Sequence, residues 1–342
     1  MPWKGITDPY RIWLSEIILQ QTRVEQGMGY YQRFITAFPD IESLARAPDA
    51  KVFKLWEGLG YYSRCRNLII TAKIISKEYG GKFPADYNSI LALKGIGPYT
   101  AAAISSFAFD LPHAVLDGNV FRVLARIFGV SAATDTTEGK KIFTLLANDL
   151  LDRNKPGVYN QAIMDFGAMI CKPVRPLCDQ CVFKNDCIAF LTNRISELPV
   201  KIKKINIRKR WFNYVIMHHN GMVAIRQRTD KDIWQDLWEF PLVETTSNIE
   251  TSQVLEEAEL KYGIPKDKYT VDGTINQGRQ QLSHQLINGQ FMNIYLQHKP
   301  DAGNKWKWIP ADELERETFP VLINNYLESV KGSLSIPNPF QL

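Results

Sequence analysis

The sequence predicts two domains of different class, an all-α N-terminal half and an α+β C-terminal half. Three observations carry this. At 342 residues the chain has room for two domains of roughly 100–200 residues each. Apolar residues recur at helical spacing as far as Phe128, whereas after residue 210 they alternate in short runs. Between the halves Lys201, Lys203, Lys204, Arg208, Lys209 and Arg210 crowd one stretch with no acid, which reads as a solvated linker or as a tether beside a phosphate backbone. The boundaries that follow are a helical region at 1–197, a basic linker at 198–210, a second domain at 211–331 and a tail at 332–342.

Helices are expected over Tyr10 to Val24, Tyr30 to Phe38, Val52 to Leu55, Leu68 to Tyr79, Ile90 to Leu93, Ala101 to Phe109 and Val120 to Phe128. Asp8-Pro9 offers a cap followed by proline at the first helical position, and Gly58, Gly60, Gly80, Gly81, Gly95 and Gly97 punctuate the ends. Strands are expected over Trp211 to His218, Met222 to Gln227, Tyr269 to Ile275 and Phe291 to Gln297, with turns at Asn220-Gly221 and Asn288-Gly289 and a helix over Gln253 to Tyr262.

Composition narrows the class. With 45% hydrophobic and 23% charged residues, the chain is neither disordered nor fibrous. No apolar stretch approaches the ~18 residues of a membrane helix, and the start at Met1-Pro2-Trp3-Lys4-Gly5 has no secretory core. The expectation is a cytoplasmic, monomeric protein with no membrane partner. A net charge of +5 is compatible with a polyanion but does not establish one.

Four of the five cysteines, Cys171, Cys178, Cys181 and Cys187, are spaced C-x6-C-x2-C-x5-C. Such a set can wrap one soft ion or cluster. Two disulfides are disfavoured by the missing secretory signal and by the odd thiol, Cys65. Structural zinc usually takes two short C-x2-C-type pairs, and one short pair beside two longer arms suits the larger iron-sulfur cube better. Such a centre has no open position for substrate. Lys172 and Arg175 would project from the loop it holds, where they could grip phosphates.

Leu93-Lys94-Gly95-Ile96-Gly97-Pro98-Tyr99-Thr100-Ala101 reads as a helix end, a two-glycine hairpin and a helix opened by proline. Gly95 and Gly97 can adopt backbone angles other residues resist and can turn main-chain amides to a phosphate at the next helix's positive end. An ordinary helix junction is the alternative; Pro98 and Thr100-Ala101 favour a helix-hairpin-helix clamp on a DNA backbone.

These motifs resemble a known family. Trp13-Leu14-Ser15-Glu16-Ile17-Ile18-Leu19-Gln20-Gln21-Thr22, Gly58-Leu59-Gly60-Tyr61-Tyr62-Ser63-Arg64, the hairpin, Leu116-Asp117-Gly118-Asn119-Val120-Phe121-Arg122-Val123 and the four-cysteine loop occur in the order found in adenine DNA glycosylases of the MutY type, within the helix-hairpin-helix iron-sulfur superfamily. The resemblance covers nearly the whole chain. It implies a helix-hairpin-helix glycosylase with a 4Fe-4S cluster on the four cysteines, followed by a Nudix-like recognition domain. The implied activity is base excision repair: hydrolysis of the bond to adenine mispaired with 8-oxoguanine or guanine in double-stranded DNA. For a bacterial chain it implies association with the nucleoid.

The chemistry asks for two carboxyls. Breaking a bond from sugar carbon to base nitrogen passes through a sugar cation, so one acid must protonate the base and one carboxylate must shelter the sugar. By itself Glu16 reads as a solvent-facing helix glutamate or as a carboxyl held against Ile12 and Leu19, and Asp117 reads as a helix cap. The resemblance makes Glu16 the general acid and Asp117 the second carboxylate, with Asn119 a polar organiser. Arg122 and Arg126 read as structural or phosphate-facing. In the related endonuclease III-like enzymes a lysine at the hairpin attacks the sugar; here Tyr99 stands there. A phenol forms no imine, so a monofunctional enzyme is expected.

A target base must leave the duplex, and side chains must fill the gap. Leu59 and Tyr61 suit wedge and stacking work, with core packing the alternative; by resemblance Gln21 and Thr22 enter near the base opposite adenine. In the second domain Glu256-Glu257 lacks the arginine and glycine of a magnesium-binding Nudix helix. Leu282-Ser283-His284 matches the family's Phe-Ser-His segment that senses 8-oxoguanine, with leucine replacing phenylalanine. The family's arginines flanking Pro-Trp are missing, with Lys4 after Trp3, so two polar contacts near the active site are expected to be absent.

Overall fold

The computed structural model describes residues 2–203, 206–264, 266–300 and 306–331, with only the backbone of Gly273 and Thr274; the tail at 332–342 lies outside the described residues. In chain order the helices are α1 Pro9–Leu19, α2 Val24–Ala37, α3 Ile41–Arg46, α4 Asp49–Trp56, α5 Tyr62–Glu78, α6 Tyr87–Ala92, α7 Pro98–Phe109, α8 Gly118–Ile127, α9 Thr137–Asp149, α10 Pro156–Met169, α11 Ile188–Leu191, α12 Thr251–Tyr262 and α13 Val321–Ser329. The strands are β1 Arg208–His219, β2 Met222–Gln227, β3 Trp238–Glu239, β4 Leu242–Thr245, β5 Tyr269–Gln281, β6 Gln285–Leu296 and β7 Lys307–Pro310. No helix among the described residues is long and apolar enough to cross a membrane.

The chain forms two compact units, Met1–Ala47 with Arg64–Lys204, and Pro48–Ser63 with Ile205–Leu342. The first is helical. Asp8 caps α1 by accepting from the amides of Tyr10 (2.9 Å) and Arg11 (3.4 Å), with Pro9 at the first position. The helix expected over Tyr10 to Val24 ends at Leu19, and α2 begins only at Val24. It breaks after Leu19 because the Arg64 guanidinium takes the carbonyls of Ile17 (2.8 Å) and Ile18 (2.9 Å), and Gln21 turns to φ 56°. A cation at a helix C-terminus is favourable and satisfies carbonyls left without intrahelical donors. Beyond the break α2 packs close: a Cβ on Gly27 would stand 2.8 Å from Leu19 Cδ2.

The core of this unit gathers Ala102 and Ala103 of α7, Val120 and Leu124 of α8 and Phe143 of α9, all buried. The stretch His113 to Leu116, which leads into Asp117, pairs with no strand among the described residues. It is irregular backbone tied down by Asn160, whose Oδ1 accepts from Val115 N (3.1 Å) and whose Nδ2 donates to His113 O (2.8 Å). At the hairpin, Gly95 has φ +77° and a Cβ there would lie 2.5 Å from Asn67 Cβ. Gly97 differs from expectation: it caps α7 at φ −98° and a Cβ would meet nothing within 4 Å. Only Gly95 needs to be glycine for backbone reasons.

The second unit is built on a mixed sheet. Its centre, β1, runs parallel to β6 from Arg208↔Gln285 to His218↔Tyr295 and antiparallel to β4 and then β2 on its other side. Strand β5 extends β6, while β3 and β7 pair with β2. Helix α12 covers one face through Val254, Ala258 and Tyr262, packed on Val215, Met217, Met292 and Ile294. Strand β1 begins at Arg208, inside the stretch expected to be linker. Arg210 is not a solvated linker charge: it is 5% exposed and paired with Asp232 and Glu244 at 2.7 Å each. Lys201 and Lys203 are exposed, the amides of Ile202 and Lys203 donate to Asp135, and Lys204 lies outside the described residues.

Gly95→Ala should destabilise the protein by about 1–3 kcal/mol, because it adds both a strained φ and a clash, whereas Gly97→Ala should stay within about 0.5 kcal/mol of wild type. Chemical denaturation of both variants checks the contrast.

Candidate active site

Glu16 stands on the third turn of α1, Tyr99 on the first turn of α7 and Asp117 at the cap of α8. Those three elements converge. The Tyr99 hydroxyl hydrogen-bonds Glu16, and the charges of Glu16 and Asp117 feel each other. Glu16 keeps part of its surface accessible, but protein crowds its carboxyl closely enough that burial pushes its pKa up to about 7; the Tyr99 bond opposes the rise and Asp117 adds to it. Burial also pushes the Tyr99 phenol well above its ordinary range, with both carboxylates adding to the effect. Tyr99 Oη also approaches Met164 Sδ at 3.7 Å.

Asp117 differs in its partners. Its Oδ1 accepts from the amides of Asn119 (2.9 Å) and Val120 (2.8 Å), and its Oδ2 accepts from Asn119 Nδ2 (2.7 Å). The cap and the candidate catalytic carboxylate are therefore one group. Burial raises its pKa, opposed by the Val120 amide, by Asn119 and by the Arg122 guanidinium. Charge-assisted bonds of this kind favour the ionised form. Of the two carboxyls, Glu16 is the better proton holder.

Arg122 was expected to be structural or phosphate-facing; its contacts are structural. Its Nη2 donates to Asn119 Oδ1 (2.9 Å) and Gly167 O (2.7 Å), and its Nε donates to Cys171 O (2.6 Å). Arg126, one turn on and 2% exposed, donates to Leu198 O (3.0 Å), Lys172 O (2.7 Å) and Pro173 O (3.1 Å), with Cys171 Sγ at 3.5 Å. The two guanidiniums stitch α8 to the cysteine loop, and through Asn119 the stitching reaches Asp117. The sequence flags the pair, i and i+4 on an otherwise apolar helix, but not their carbonyl targets.

All five cysteines are free thiols. Cys171, Cys178, Cys181 and Cys187 line one pocket with Arg126, Phe166 and Lys184. Burial, and then the nearness of the other sulfurs, pushes the Cys178 thiol up; burial and the sulfurs of Cys171 and Cys187 likewise raise Cys181. A cationic centre among them would relieve that repulsion. Four soft donors and no hard oxygen fit an iron-sulfur cluster or zinc. No three His, Cys, Asp or Glu side chains among the described residues are grouped to hold a single metal ion.

The other expected residues are placed as follows. Gln21 is exposed, and Thr22 Oγ1 accepts from Arg64 Nη2 at 3.4 Å. Gln20 Nε2 reaches Thr100 Oγ1, also at 3.4 Å. Lys4 bonds both carboxylate oxygens of Asp165 at 2.6 Å, a pairing the sequence did not foretell. Lys94 is exposed. In the second unit Leu59 is 6% exposed, which matches core packing rather than a displayed wedge. Tyr61, at φ 48°, is 42% exposed, and its hydroxyl bonds Ser283 Oγ. Ser283 and His284 are both exposed in the turn between β5 and β6. Glu256 and Glu257 lie exposed on α12, an ordinary helix face.

Known protein families match both halves of the chain. Residues 14–147 match the HhH-GPD superfamily of base excision DNA repair proteins and residues 213–329 match the NUDIX domain. The chain is 37% identical to the adenine DNA glycosylase of Buchnera aphidicola subsp. Baizongia pistaciae over 244 residues, 70% of this chain and 68% of that one. It belongs to the MutY-type adenine DNA glycosylases. The human adenine DNA glycosylase is 42% identical over 181 residues, 53% of this chain and 33% of that one. Among solved structures, a thermostable thymine-DNA glycosylase aligns with a TM-score of 0.52 at 30% identity, covering 56% of this chain and 88% of that one. This adenine DNA glycosylase is therefore an enzyme of base excision repair, with its two carboxyls and Tyr99 in the first unit.

Two outcomes follow from the geometry. Between pH 4.5 and about 7 folded Glu16 retains a proton that the unfolded chain has lost, so its contribution to stability falls as pH rises through that window. Glu16→Gln should raise stability by on the order of 2–3 kcal/mol at pH 8 and leave it unchanged near pH 4, as read by thermal unfolding at both pH values. Arg122→Ala strands three carbonyl contacts and should cost about 3 kcal/mol or more, read by denaturant titration.

Proposed function

We propose that this adenine DNA glycosylase hydrolyses the bond to adenine paired with 8-oxoguanine or guanine in duplex DNA, as a monofunctional enzyme that leaves an abasic site. The observation that carries the reading is the pairing of a proton-holding Glu16, raised to about 7 by burial, with an Asp117 whose carboxylate accepts three hydrogen bonds. Environments that push two carboxyls apart assign acid and base roles. Protonated Glu16 gives its proton to the departing adenine. Asp117, held by its cap, stabilises the sugar as it turns positive, and Asn119 keeps that carboxylate aimed. Tyr99 holds Glu16 and offers no amine, so water completes the reaction.

Residues 1–197 serve as the catalytic region and 211–331 as the recognition domain. The hairpin amides at Gly95 and Gly97 suit the DNA backbone, Gln21 and Thr22 the duplex near the estranged base, and Tyr61 the gap left by the extruded nucleotide; Leu59 would have to leave its packed position to join it. Ser283 and His284 are exposed polar groups of the kind that read 8-oxoguanine, with Leu282 a smaller apolar neighbour than phenylalanine. A single chain carries every group required, which supports a monomer; a duplex-DNA substrate supports a place on the nucleoid. Cys171, Cys178, Cys181 and Cys187 would hold a 4Fe-4S cluster, their single short pair beside two longer arms favouring it over one zinc ion. When bound, such a cluster supplies a rigid cross-link within residues 171–187, with no open position for substrate.

The test is a labelled duplex with adenine opposite 8-oxoguanine, treated with alkali after incubation. Wild type should yield abasic sites, with no strand cleavage before alkali and no adduct on borohydride treatment. Its single-turnover rate should fall as pH rises above about 7, and Glu16→Gln should slow it by about 10²–10⁴-fold. Unimpaired excision by that variant, or a trapped adduct, overturns the reading. Iron and sulfide rather than zinc in the purified protein check the cluster.

A further inference from the structure

On the second unit, the sheet face packed against α12 is apolar at one end and polar at the other. Side chains alternate across a strand, so Trp211 and Asn213 share a face with Val215 and Met217, which α12 covers. In register, Trp211 lies opposite Asn288 and then Arg279, and Asn213 lies opposite Gln290 and then Gln277. These six side chains line a cavity of about 420 Å³ with Asn248, which follows β4. That is the size of a small-ligand site. Gly278 and Gly289, paired across the strands, leave bare backbone in its floor; on the opposite face Leu322 of α13 stands 2.9 and 3.0 Å from where their Cβ atoms would be.

The polar groups point to a ligand. Gln290 Oε1 is buried with no hydrogen-bond partner, a costly state that a donor would relieve. Asn213, 2% exposed, spends its amide nitrogen on Val243 O (3.0 Å) and Thr245 Oγ1 (3.2 Å), leaving its carbonyl oxygen as the polar atom it can offer the cavity. The site therefore presents two acceptors on cross-strand neighbours, a half-buried indole and an exposed guanidinium, with no acid among its lining residues.

We propose that this cavity binds a guanine nucleotide. Guanine carries adjacent N–H donors on N1 and N2, which match the oxygens of Gln290 and Asn213; adenine places an acceptor beside its amino group and would set a lone pair against one of them. Trp211 flanks the base, as aromatic side chains do for unstacked bases, and Arg279 at the rim takes the phosphate. The source is a free nucleotide or a guanine in a single strand. Ser283 and His284, in the hairpin turn, take no part, and the proposal does not depend on the mispair preference proposed above.

Titration calorimetry of the full-length protein tests it, with dGMP, dAMP, inorganic phosphate and a five-nucleotide single strand holding one guanine. Saturable dGMP binding is expected, with dAMP at least about tenfold weaker and phosphate a poor competitor. Gln290→Leu should weaken dGMP about tenfold or more; it removes an unpaired acceptor, so thermal unfolding should find it folded. Arg279→Ala, an exposed change, should weaken dGMP while Ser283→Ala does not. The same variant losses seen for the oligonucleotide alone support the site and assign its source to a strand. Absence of saturable binding by both guanine ligands at millimolar concentration, equal affinity for dGMP and dAMP, full competition by phosphate, or binding untouched by both site variants overturns it.

Discussion

Two carboxyls brought within reach of each other, away from bulk water, cannot both ionise cheaply, and the first unit is arranged around how that conflict is resolved. Glu16 receives only a phenol as its hydrogen-bond partner, while Asp117 receives two backbone amides and a side-chain amide. The proton settles on the group with fewer donors. The asymmetry comes from secondary structure: a helix interior has no spare amides to give Glu16, and a helix start has them for Asp117. One helix middle set against one helix beginning yields an acid and a carboxylate from chemically similar side chains.

The position of Asp117 depends on a second set of contacts. Arg122 joins Asn119 to the backbone of Gly167 at the end of α10 and to Cys171, the first residue of the cysteine loop. Arg126 holds the next residues of that loop. Loop and carboxylate therefore form one hydrogen-bonded body in which disturbance at residues 171–173 passes to Asp117 through two side chains. A cluster bound on the four cysteines would be too saturated to touch a substrate, yet it would fix where those carbonyls stand.

Much of this was legible in the sequence, for stated reasons. Glu16, Tyr99, Asp117 and Asn119 sat in contiguous motifs, and the cysteines declared themselves by spacing. Helices α9 and α10 were missed because Thr137–Asp149 buries only Gly139, Phe143 and Ala147, two of them too small to mark an apolar face, and Pro156–Met169 has apolar residues on several sides. Strands β3, β4 and β7 are two to four residues long, too short to establish alternation. The break after Leu19 was invisible because its cause, Arg64, lies far along the chain. Arg210 looked like part of a charge run because its acids, Asp232 and Glu244, arrive only on folding.

The second unit shows how charge can be spent inside a fold. Glu239, fully buried, is bracketed by Arg226 and Arg228, and Asp232 by Arg210 and Arg228. Each carboxylate is committed to guanidiniums in geometry that removing one partner would make costly, so these acids are poorly placed to release their charge to a divalent cation. The carboxylates of α12, Glu256 and Glu257, face solvent instead. What the sheet keeps available is neutral hydrogen-bonding capacity: amides on one face and a serine and histidine at a hairpin turn. Among the described residues no three carboxylates gather as a metal-dependent hydrolase would need to hold magnesium. Buried carboxyls are thus handled differently in the two units, by hydrogen bonds in the first and by guanidiniums in the second.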